Sequence, residues 1–161
     1  MPGVGKLVVL SAALLFGIPA LAVSQAWPPG SAGASGQLAL EAKEKAVAAL
    51  ERANADLTAA LSALVPQDWY GRPVAAVRGL EATWLDYVTH ECDVVGTSTL
   101  AGSPWQSAYA VQCEVVLIEW RAKQVAVAAE CLSKANNPAT GADFYACIRP
   151  LAPLATQVGV R

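Results

Sequence analysis

The sequence has a single histidine, two phenylalanines and no methionine after Met1. It holds no CxxC spacing, no HExxH, no GxSxG and no glycine-rich phosphate loop. Each absence removes a class of chemistry. One histidine cannot share a zinc site with a second. Without CxxC, neither a zinc ribbon nor a thioredoxin-type centre has support. Without the hydrolase, protease and nucleotide motifs, the common routes to covalent or phosphoryl chemistry are missing. Basic runs are absent too. Eleven Lys and Arg stand against 13 Asp and Glu, for a net charge of −2. That balance argues against a nucleic-acid partner and is compatible with a basic protein partner. Strand-like alternation is also lacking, because the β-branched residues near 115–118 sit inside a longer helical period.

The N-terminus reads as an export signal. Lys6 supplies a positive start, and residues 7–18, LVVLSAALLFGI, are apolar but too short to span a bilayer comfortably. Pro19 and two small-x-small sites follow, so cleavage is expected after Ala22 or Ala26. The competing reading is an uncleaved anchor. Cleavage implies a secreted or periplasmic protein with no remaining membrane segment. Four cysteines, Cys92, Cys113, Cys131 and Cys147, then imply two disulfides.

Residues 27–36 are rich in Pro, Gly, Ser and Ala and are expected to be flexible. A helical domain is expected over 37–150, with a frayed tail at 151–161. The first helix, from about Gln37 to Pro66, carries Leu40, Val47, Leu50, Leu57, Leu61 and Leu64 at helical spacing, interrupted by Asn54. A loop of residues 66–72 leads to a second helix opening at Pro73, with Val77, Leu80, Trp84, Tyr87 or Val88, and Cys92 on its stripe. Gly79 in that helix marks a point where another helix could approach closely. A loop is expected over 94–105, then a third helix from about Pro104 to Lys134, with Ser103 as its cap. Its expected core face holds Tyr109, Cys113, Val116, Leu117, Trp120 and Val127. A short helix follows at 143–148. The fold class is therefore all-α, a small antiparallel bundle of three main helices and one short one.

The segment WLDYVTHEC, residues 84–92, gathers His90, Cys92, two carboxylates and two aromatic rings. Consecutive His90, Glu91 and Cys92 fan around a helix and do not converge, so neither a metal site nor a Cys-His nucleophile is expected. His90 reads as solvent-facing. Asp86, Glu91 and Asp93 read as a wet face rather than an acid–base pair. Cys92 reads as a staple. Pairing with Cys113 would close one loop, and Cys131 with Cys147 the next, each worth roughly 3 kcal/mol. Trp84, Tyr87, Tyr109 and Trp120 fit a core at helical spacing, and a ligand groove is the alternative. No catalytic set, cofactor or metal is expected, and the chain reads as a non-enzyme.

Trp84, Tyr87 and Cys92 form W-x2-Y-x4-C, Gly102-Ser103 precedes Cys113, and Cys113, Leu117 and Arg121 form C-x3-L-x3-R. This pattern resembles the small exported bacterial domain named for LprI-type lysozyme inhibitors, over roughly residues 40–130. The chain departs from the family's pattern at Val88 and Thr89, where Arg-Asp is common, and at Ile118, where Thr is common. It lacks the family's upstream cysteine pair and adds Cys131 and Cys147. The resemblance implies a non-catalytic binding protein whose partner is lysozyme or another cell-wall hydrolase, inhibited by occlusion of its cleft. Loop 94–105 is the expected contact, through Asp93, Ser98, Ser103 and Trp105. Arg121 is expected to pair with Glu81 or Glu114, and direct contact with a partner is the alternative. The alternative function is an envelope interaction protein that associates through its Ala-rich first helix.

Overall fold

Spacing of small and branched residues sets the packing. In α1 (Ala32–Ala63) the buried positions are Ala39, Ala46, Leu50, Ala53, Leu57 and Leu61, steps of three, four and seven that hold one face against a neighbour. α2 spans Gln67–Ser98, α3 Ser103–Lys134 and α4 Gly141–Ile148, and a 3₁₀ turn covers Arg149–Leu151. The structure is a computed structural model and describes residues 27–63, 67–134 and 141–152; for 67–73 and 141–144 only the course of the backbone is described. The expected signal segment 1–26, Leu64 and most of the tail lie outside these residues. The fold is all-α, with three long helices, one short helix and two disulfides, and no strand occurs among the described residues.

Cross-helix contacts fix the directions. Glu81 meets Arg121, Cys92 meets Cys113, and Gly96 lies against Gln106 and Ala110, so α2 and α3 are antiparallel. Lys43 pairs with Glu114, and Gly36 faces Ala108, so α1 runs parallel to α3. The chain goes up, down and up. α3 is the central helix and packs on α1, α2, α4 and the final turn.

Several boundaries differ from the sequence expectation. α1 begins within the stretch expected to be flexible. Ser31 caps it, accepting the Ala34 amide at 3.2 Å. α2 begins at Gln67 rather than Pro73 and continues past Cys92 to Ser98, so the connection to α3 shrinks to residues 99–102. The hydroxyl residues there suggest a loop, but they are satisfied inside the helix. Thr97 donates to the Asp93 carbonyl and Ser98 to the Val95 carbonyl, each at 2.8 Å. Leu151, expected in a frayed tail, is buried in the core.

The largest correction concerns α3. The expected core residues Tyr109, Val116, Trp120 and Val127 are exposed. The buried set is instead Glu114, Ile118, Arg121, Val125, Ala128 and Leu132, with Ala108, Ala110, Ala122 and Ala129 beside it. This is an unbroken three-four repeat in which two positions are charged. On α1, Leu40 is likewise exposed and Ala39 buried. On α2, Val88 and not Tyr87 faces the core.

The glycines of α2 give a paired prediction. A Cβ at Gly79 would meet nothing within 4 Å, so no helix approaches there. A Cβ at Gly96 would lie 2.5 Å from the Gln106 carbonyl oxygen and 3.0 Å from Ala110 Cβ, so the close approach lies at Gly96. Gly79→Ala is expected to stabilise by about 0.5–1 kcal/mol through helix propensity. Gly96→Ala is expected to cost about 1–3 kcal/mol, because the α2–α3 backbones must part. Urea midpoints of the two variants check this, and equal shifts of one sign would refute it.

Candidate functional site

Arg121 organises the region between α2, α3 and the end of the described chain. Its side chain is fully buried. Nε and Nη2 both donate to Glu81 Oε1, at 3.0 and 2.5 Å. Nη1 donates to the Leu151 carbonyl at 2.8 Å and to Gln124 Oε1 at 3.5 Å. The guanidinium carbon sits 5.5 Å from the Trp84 ring centroid, within cation–π range. Arg121 thus pairs with Glu81, while Glu114 pairs with Lys43 of α1. Each buried charge has a partner on another helix, as a dry interior requires.

Above this pair lies an apolar groove of about 540 Å³. α2 contributes Leu80, Trp84, Tyr87 and Val88. α3 contributes Leu117 and Trp120 across from them, and Leu151 and Ala152 close the remaining side. Of the residues that carry the resemblance, Trp84, Tyr87 and Leu117 line the groove, and Arg121 sits behind Trp84. The size and lining are those of a small-molecule pocket. Tyr109 does not take part; it stacks on Trp105 with centroids 5.8 Å apart. Three of these four aromatics, Trp84, Tyr87 and Trp120, therefore line one groove. Thr83 and Glu91 also line it; the sequence marks Glu91 only as part of a wet face and does not mark Thr83, Leu151 or Ala152. Thr83 and Glu91 share a helical face with Trp84 and Tyr87, a signal that could have found them. Leu151 follows Pro150, and no local pattern marks it.

The four expected contact residues do not form one loop. Asp93 is exposed on α2, Ser98 is that helix's last residue, Ser103 is the first of α3, and Trp105 is half-buried. Ser98 and Ser103 flank the turn at residues 99–102, whose most prominent side chain is Leu100. Leu100 is 91% exposed and has φ +52, a left-handed conformation that leucine rarely adopts. The Cys92–Cys113 bond lies between this tip and the groove-lining part of α2.

His90 is exposed and lies 3.8 Å from Asp86, a solvent-facing i,i+4 pair. It stands about two turns before the end of α2. No cluster of potential metal ligands occurs among the described residues. All four cysteines are in disulfides, Cys92 with Cys113 and Cys131 with Cys147, so Cys92 is not a thiol here. No described helix is long and apolar enough to cross a membrane. Two disulfides with no free thiol point to an oxidising, extracytoplasmic environment.

Fold and site together define a disulfide-clamped helical bundle with an aromatic groove and a projecting hairpin tip. No protein-family profile, curated protein or solved structure matches the chain.

Proposed function

We propose that this chain is a secreted or periplasmic non-catalytic binding protein, lysozyme-inhibitor-like, that occludes a hydrolase cleft with its α2–α3 hairpin tip. The observation that carries this reading is Leu100, held out at 91% exposure on a four-residue turn between two long helices. The Cys92–Cys113 bond ties those helices close to the turn, so little ordering entropy is lost when the tip meets a partner. Leu100 would be the apolar anchor, with Ser98 and Ser103 as its polar rim. A net charge of −2 suits a basic hydrolase.

Lysis of bacterial cell walls by purified lysozyme, with and without the oxidised protein, tests the proposal. The wild type is expected to inhibit, and Leu100→Asp to weaken inhibition by about tenfold or more, as loss of an interface anchor does. No inhibition at large molar excess, with folding confirmed, rejects the proposal for that lysozyme. The alternative, association through the Ala-rich first helix, must use another face of α1, because Ala46, Leu50, Ala53, Leu57 and Leu61 are already in the core. Sedimentation of the folded chain separates the two, since a strict monomer removes self-association.

A further inference from the structure

The groove between α2, α3 and the final turn calls for its own occupant, independently of the hairpin tip. We infer that it binds a small amphiphile with an apolar tail and a cationic head. The tail follows from the walls. Val88 and Leu151 are buried at the groove, and Leu80, Leu117 and Trp84 are half-buried beside them. Such a surface gains by covering apolar ligand area.

Polar ligands fit poorly. Besides the single indole N–H donors of Trp84 and Trp120, the lining side chains that carry polar atoms are Thr83, Tyr87 and Glu91. Thr83 already donates its hydroxyl hydrogen to the Gly79 carbonyl. A sugar, or the backbone of an extended peptide, would leave several donors and acceptors unpaired there, each at a cost. An unbranched or aryl chain has no such groups to satisfy.

The head follows from the charge. Glu91 supplies the carboxylate of the lining, and among the described residues no Lys or Arg side chain lines the groove. Arg121 is held behind Trp84 with its hydrogen bonds going to Glu81, Gln124 and Leu151, and the Arg149 guanidinium lies over the Tyr145 ring. A carboxylate or phosphate head would therefore meet Glu91 with no cation among the described lining residues. An ammonium would meet Glu91 and the exposed rings of Tyr87 and Trp120, whose faces attract cations. Acidic rim, aromatic mouth and apolar floor together match one amphiphile with its head outward.

The test uses the full chain with both disulfides oxidised, titrated calorimetrically below the micelle concentration with dodecyltrimethylammonium and with dodecanoate. The ammonium is expected to bind about tenfold more tightly than the carboxylate of equal chain length. Glu91→Lys, an exposed change that leaves the core intact, is expected to abolish or invert that preference. Trp120→Ala is expected to weaken ammonium binding by about tenfold. Far-UV circular dichroism confirms that both variants fold. Equal affinity for the two heads in the wild type overturns the inference. So does binding that ignores both substitutions, which is general surfactant adsorption, or binding of a basic amphipathic peptide in place of the ammonium probe.

Discussion

Arg121→Met is expected to cost about 3–5 kcal/mol in urea unfolding, one of the two largest effects anticipated for this chain. The side chain is fully buried, so its loss leaves Glu81 in the core without the donors it has at 3.0 and 2.5 Å. Glu81 Oε2 is already buried without a hydrogen-bond partner among the described residues, which offer the carboxylate no second donor. The Leu151 carbonyl loses its 2.8 Å donor as well, which releases the final turn from α3. A double variant, Arg121→Met with Glu81→Leu, is expected to recover most of the loss, because an apolar pair needs no desolvated charge. A single-variant cost below about 1 kcal/mol would place the pair in the range of exposed ion pairs and refute its buried role.

Reduction is the second large effect. The two bridges span 21 and 16 residues. At these spans the chain-entropy model assigns each about 3 kcal/mol, or about 6 kcal/mol together when the effects add. A domain of this size has only about 5–15 kcal/mol in total. Full reduction is therefore expected to unfold the chain or leave it marginal at 37 °C. Serine replacement of either pair alone should leave a weakened but folded bundle. The check is a urea titration of oxidised chain, reduced chain and each serine variant. A reduced chain within about 1 kcal/mol of the oxidised one would show that packing alone holds the bundle and that the sulfur links are incidental.

The fold class is legible in the sequence because its signals are local. Gly and Pro are absent from residues 37–65, Lys134 precedes a breaking NNPATG, and each staple joins cysteines across one connection. Helix ends are less legible. Thr97 and Ser98 favour turns in isolation, yet here their hydroxyls bond back into α2. The buried face of α3 is not legible from periodicity alone. Glu114 and Arg121 occupy two positions of its repeat, and charged residues normally mark the wet side. They are buried because Lys43 and Glu81 meet them from other helices. Once that face turns inward, Trp120, Val116 and Val127 turn outward. The groove follows from the same rotation, since it brings Trp120 and Leu117 opposite Trp84 and Tyr87.

By itself, the sequence determines that this chain is helical, that its cysteines can join consecutive helices, and that it carries none of the familiar catalytic motifs. Those properties depend on neighbours within a few turns or across one connection. Only the tertiary structure decides which side of α3 is dry, that Leu151 is core rather than tail, and that Leu100 projects from a short turn while Trp84, Tyr87 and Trp120 line one groove. Those properties depend on pairings such as Arg121 with Glu81 and Lys43 with Glu114, whose partners come together only when the helices pack. A charge can be buried only where its counter-charge arrives, and helical periodicity carries no record of that meeting.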